Sequence, residues 1–131
     1  MFTIDQIKSA HSKVKSGADF PAYVQDIREL GVISYETYVS DNHTDYFGAN
    51  GYKASSPAKY HTLIIADLSN DVQFRVELKA HQQGQTDYLT FCKSAASLGV
   101  ERWVVSIEAM TCTYYNKSGQ KMLVEVIPTA S

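Results

Sequence analysis

The run SDNHTDYFG, residues 40–48, sets Asp41, His43 and Asp45 at alternate positions, the spacing at which an extended chain points three side chains one way. Carboxylates and imidazoles are the donors of divalent-metal sites and the groups of acid-base catalysis. With His61 on a nearby segment as a further nitrogen, these residues define one candidate activity, a metal-dependent enzyme. The same residue types also build corners, because Asp and Asn side chains bond their own backbone. A corner at 41–43 would take the three side chains off a common face.

The elements that position this run can be read on either side of it. Thr3 and Gln6 have capping-box spacing, and Ile4, Ile7 and Val14 form one stripe, predicting a helix that ends near Gly17. A second helix is predicted from an Asp19 cap, with Pro21 in its first turn and Phe20, Tyr23, Val24, Ile27 and Leu30 as its apolar face. It stops at Gly31. Further on, Asn70 and Gln73 repeat the capping spacing, with Val72, Phe74, Val76 and Leu78 behind them, and Gly84 ends that helix.

Sliding the chain so that Asp19 lies over Asp87, a shift of 68 positions, aligns two ungapped segments. Leu30-Gly31-Val32 meets Leu98-Gly99-Val100, Tyr35 meets Trp103, Val39 meets Ile107, Tyr46-Phe47 meets Tyr114-Tyr115, and Gly51 and Lys53 meet Gly119 and Lys121. A shared cap, stripe, stop and turn at one offset predicts a tandem duplication. Asp41, His43 and Asp45 align with Ala109, Thr111 and Thr113, so the repeated scaffold does not need acids or imidazole there.

A single strand over 32–47 would run about 50 Å at roughly 3.3 Å per residue, longer than the about 36 Å expected across a compact chain of this length. It must therefore turn. The expected strands are 33–40, 44–48 and 52–55, mirrored by 101–108, 111–116 and 120–127, with an extra strand over Tyr60 to Ile65. The fold class is α+β: a duplicated helix-helix-strand-strand unit with helices packed on a largely antiparallel sheet. One domain covers 1–131, with repeat 1 at about 3–55, linker and extra strand at about 56–66, and repeat 2 at about 70–127.

A net charge of -2 gives no concentrated basic face for nucleic acid. Lys8, Lys13 and Lys15 read as the solvated side of a helix. The longest apolar run, Leu63 to Ala66, is far short of the roughly 20 residues of a membrane span, and the first residues do not read as a secretory signal. A cytoplasmic location is the expectation. Cys92 and Cys112 read as buried, reduced thiols. His11 and His81 read as half-buried packing residues. No nucleophile-elbow, phosphate-loop or dinucleotide motif occurs, so no catalytic residue is assigned and no cofactor is expected, a divalent metal being the exception.

The runs SDNHTDYFGANGYKASSPAKY, LKAHQQGQTDYLTFCK and GVERWVVSIEAMTCTYY resemble a family of bacterial proteins of about this length. That family has no assigned function; some members are prophage-encoded and sometimes labelled "phage envelope protein". The resemblance spans nearly the whole chain and implies no site residue. A structural phage component is the reading that the label alone suggests.

Tyrosines 23, 35, 38, 46, 52 and 60 crowd the first half. Such rings suit pockets and interfaces. Alternation places Tyr35 in the core, with Trp103 its counterpart, and Tyr38 outside. The leading expectation is a small non-enzymatic module binding a protein or small-molecule ligand through Tyr38, Tyr46 and Tyr52, with neither nucleic acid nor membrane as partner. That aromatic face would also serve a twofold homodimer, weakened by Tyr38→Ser.

Overall fold

The computed structural model describes residues 1–15 and 17–128. Among these the chain forms helices α1 (Ile4–His11), α2 (Phe20–Leu30), α3 (Asp71–Gln82) and α4 (Tyr88–Ser97). Strands β1 (Ser34–Tyr38), β2 (Thr44–Phe47), β3 (Lys53–Ser55), β4 (Val100–Ser106), β5 (Thr111–Asn116) and β6 (Lys121–Val126) complete it. The strands make one antiparallel sheet of order β3-β2-β1-β4-β5-β6. The mixed α+β class is as the sequence predicts.

Cross-strand pairing aligns Tyr46, Tyr35, Val105 and Cys112 on one face of the sheet. That face is covered by all four helices and holds a single core to which Ile7, Val24, Ile27, Phe74, Leu78, Phe91 and Ala95 contribute. Phe74 lies 5.0 Å from the Tyr114 ring, joining α3 to β5. The opposite face carries Glu36, Tyr38, Asp45, Arg102, Val104, Thr113 and Tyr115, and no helix covers it. Alternate burial along β1, β2 and β5 follows from this two-layer arrangement.

The helix caps at Thr3, Asn70 and Asp87 each accept the expected backbone N–H, and Gly31 ends α2 in the left-handed conformation, φ 108°. Asp19 differs. Its carboxylate takes the N–H of Lys15 at 2.9 Å rather than capping α2. Asp19 itself has a helical backbone, φ -87° and ψ -8°, as the last residue of the 3-10 turn Gly17–Asp19, rather than the extended backbone of a capping residue. Helix α1 ends at His11, short of Gly17; Val14 follows in a turn through Val14 N–H to His11 C=O. Ser16 lies outside the described residues.

The extra strand over Tyr60–Ile65 does not form. Its backbone is consumed elsewhere: Lys59 N–H bonds Asp41 C=O, Leu63 N–H bonds Ser40 C=O, and Ala66 N–H bonds Ala96 C=O. Residues 57–66 are thus a strap over the β1-β2 turn and the end of α4. Ile65 docks in the core while Ile64 is 90% exposed, which imitates strand alternation without a ladder.

The centre of the sheet is the β1-β4 pair, in which Glu36 stands opposite Val104. The flanking bonds are reciprocal: Val39 N–H to Glu101 C=O and Ile107 N–H to Ile33 C=O. Left-handed backbone recurs at Gly31 and Gly99, Asn42 and Met110, and Gly51 and Gly119.

Two of these glycines separate backbone strain from crowding. At Gly119 an added Cβ meets open space; at Gly99 it would lie 2.7 Å from Ser69 Cα and 2.9 Å from Leu68 O. Gly119→Ala should cost about 1–2 kcal/mol for the left-handed backbone alone. Gly99→Ala should cost clearly more, because the backbone of 68–69 must also move. Denaturant unfolding of the two variants compares them directly; equal losses would show that the close approach carries no energy.

Candidate functional site

The β1-β2 turn answers the question posed by its residues. Asn42 is left-handed at φ 62°, and its N–H bonds Tyr38 C=O. Asp41 Oδ1 accepts the His43 backbone N–H at 3.0 Å and the ring Nδ1–H at 2.6 Å. Burial would raise the Asp41 carboxyl, but the bonds from His43 outweigh it and hold it below the ordinary value. The imidazole stacks on Tyr38, centroids 4.5 Å apart and 6° from parallel. The corner is therefore built by Asp41, as an Asx turn.

The other two members of the candidate metal set lie apart. Asp45 accepts the Ser55 hydroxyl at 2.8 Å and lies 3.8 Å from Lys53 Nζ, while His61 is exposed on the strap. Among the described residues, no three His, Cys, Asp or Glu side chains stand where they could hold one metal ion. The structure brings together Asp41 and His43 of the four.

Tyr38, Tyr46 and Tyr52 do not form one exposed aromatic face. Tyr38 is half-buried on the open side of the sheet, its hydroxyl donating to Glu36 at 3.1 Å. Tyr46 faces the opposite way into the core, 7% exposed. Tyr52 packs edge-on against Phe2, 4.7 Å between centroids, and donates its hydroxyl to Phe2 C=O. Strand alternation separates the first two, since 38 and 46 lie on opposite faces once the turn fixes the register. The surface assigned to a homodimer is thereby dispersed.

A buried polar cluster joins the two halves behind this turn. Asn42, 1% exposed, donates Nδ2–H to the Tyr88 hydroxyl of α4, and Tyr60 donates to Val39 C=O. Cys92 lies beside both tyrosines, and burial raises its thiol. Burial likewise lifts Cys112 to about 12. Both cysteines are free, buried thiols.

A cleft of about 150 Å³ opens on the first half, where α1 meets the strap and β2. Ile4, Ile7 and the Tyr46 ring give it an apolar wall; Lys8, His11 and Lys59 bring cationic groups, and Ser12 and Ser56 hydroxyls. No carboxylate lines it, and no ion pair holds Lys8 or Lys59 among the described residues. The charges are felt: burial and then Lys8 lower the Lys59 ammonium, with Cys92 opposing, while burial and then Lys59 lower His11. The sequence shows Lys8 and His11 three apart on one helix face. It does not show Lys59, which the strap delivers from a distant segment. His81 stacks on Phe91 at 4.5 Å and is half-buried as expected, whereas His11 packs edge-to-face on Tyr23 at 5.3 Å but is exposed as a whole residue. The cleft role of His11 was not legible.

The fold and cleft define a two-layer α+β domain with one open sheet face and a small pocket lined by two lysines and a histidine, a class that fixes no reaction. The chain belongs to the DUF1398 family of proteins of unknown function, whose sequence pattern matches residues 8–126. No curated protein matches it. No helix among the described residues is long and apolar enough to cross a membrane.

His11 supplies a pH test. Its folded pKa is below the ordinary 6.5, so the unfolded chain binds the proton first, and stability falls as pH drops from 6.5 through the folded value. Lys59→Gln should raise the His11 midpoint in an NMR titration but leave it short of 6.5, because burial remains. An unchanged midpoint would mean that Lys59 does not act on His11.

Proposed function

We propose that the protein is a small binding module that takes a small organic anion in the cleft of Ile4, Ile7, Lys8, His11, Tyr46, Ser56 and Lys59. The observation that carries this reading is the convergence of two lysines and a histidine on an apolar-walled cavity whose lining holds no carboxylate. Held-apart like charges cost free energy in the empty site, and an anion removes that cost. A pocket with apolar walls and a few convergent polar groups suits a small ligand. Two free buried thiols fit a reducing compartment such as the cytoplasm.

We also infer that the single domain arose by tandem duplication. Four pairs support it: Ser34↔Phe47, Tyr35↔Tyr46, Glu36↔Asp45 and Thr37↔Thr44 recur, 68 positions on, as Arg102↔Tyr115, Trp103↔Tyr114, Val104↔Thr113 and Val105↔Cys112. Glu36 pairs with Val104, its own counterpart. If the halves are copies, a segment covering 67–128 should pair through β4 with another such segment. Sedimentation of a folded but strictly monomeric segment would count against the idea.

Calorimetry with short carboxylates and phosphate, against the neutral amide of the same carboxylate, tests the cleft. The anions should bind and the amide should not, with affinity falling as salt rises. Lys8→Gln and Lys59→Gln should each weaken binding about tenfold, equivalent to roughly 1.4 kcal/mol. Equal binding of amide and carboxylate would overturn the reading.

A further inference from the structure

Lys59 differs from the other cleft cation on the α1 helix, Lys8, in how it is held. Its backbone N–H is fixed on Asp41 C=O at 2.8 Å, and it lines the cleft together with Ser56 and Tyr46. Lys8 and His11 line the same cavity, and among the described residues no carboxylate in that lining holds its ammonium. A lysine amine set beside another cationic group is an arrangement that activates it as a nucleophile toward carbonyls. The two shifts already described act the same way, favouring neutral Lys59 and neutral His11.

We propose that Lys59 captures a small 2-oxo acid as a reversible imine, with Lys8 taking the ligand's carboxylate. This rests on the anion-binding reading of the same cleft and adds the ligand's reactive group. The amine lone pair adds to the ligand's carbonyl carbon, forming the C–N bond as the carbonyl π pair moves to oxygen. A proton passes from nitrogen to that oxygen, giving the carbinolamine, and His11 in the same cavity is the base at hand for the transfer. Loss of the hydroxyl with one more proton, as water, leaves C=N. Amine plus carbonyl become imine plus water, nothing is oxidised or reduced, and hydrolysis reverses the step. The protonated imine keeps a positive charge beside the carboxylate, so the cleft's charge pairing survives the reaction. The apolar wall of Ile4 and Ile7 suits a short aliphatic remainder.

The test is borohydride trapping of the full chain with pyruvate, read by intact mass and peptide mapping, with lactate titrated calorimetrically alongside. The expected result is one reduced adduct per chain, located on Lys59, lost in Lys59→Arg, kept in Lys93→Arg and diminished by excess lactate. An adduct spread over the exposed lysines, or one that persists in Lys59→Arg, overturns the proposal. Lactate binding without any adduct overturns the imine and leaves the anion site standing. Absence of both lactate binding and adduct overturns the two together.

Discussion

The antiparallel pairing of β1 with β4 is the constraint on which the rest depends. Every other ladder in the sheet joins strands that are neighbours in sequence through a short turn, so each half could form its own three-stranded meander. Among the described strands the central pair alone joins them within the sheet, through the register Ser34↔Ser106 to Tyr38↔Arg102 and the two reciprocal bonds beyond its ends. Because strand side chains alternate, that register decides which residues of both halves face the helices. A slip of one position would put Tyr35 and Val105 on opposite faces, so that one half would turn its core residues to the open side.

The helices then need only cover one face, and they do so unequally. In the second half Tyr114, the counterpart of Tyr46, donates its hydroxyl to Glu125 at 3.3 Å, and Gln82 of α3 bonds the same carboxylate at 3.2 Å. That side is closed by polar contacts of its own. In the first half Tyr46 has Ser56 and Lys59 for neighbours in place of an acid, and the space remains a cleft. The halves thus differ in side chains at the sheet's helix-facing edge as well as in the shorter α1 and β3 of the first half.

Much of this fold was legible in the sequence because its signals are local. Caps at Thr3, Asn70 and Asp87, the glycine stop at Gly31 and the alternation in β1, β2 and β5 each depend on residues within one turn or strand. The extra strand was misread because its partners are distant. The alternation of Leu63, Ile64 and Ile65 looks like a strand, but its backbone bonds the turn at 40–41 and the end of α4. Asp19 and Pro21 look like a cap, but Asp19 is itself in helical conformation and its carboxylate turns back to the Lys15 N–H. The corner at 41–43, which the sequence offers beside the strand spacing, is what forms: the left-handed Asn42 bends Asp41 onto His43 and leaves Asp45 to Ser55 and Lys53. The cleft was the least legible feature, since Lys59 reaches it only through a strap whose path no local pattern specifies.

The placement of the one tryptophan has an optical consequence. Trp103 is half-buried on β4, with Phe91 at 6.2 Å and Tyr114 at 6.0 Å, while the cleft is bounded by Tyr46 on β2. With β1 between them, the indole stands two strands, roughly 10 Å, from the cleft wall. Tryptophan emission therefore reports the packing of the second half and the integrity of the central weld. Tyrosine emission, with most of its rings in the first half, is the intrinsic signal closest to whatever enters the cleft.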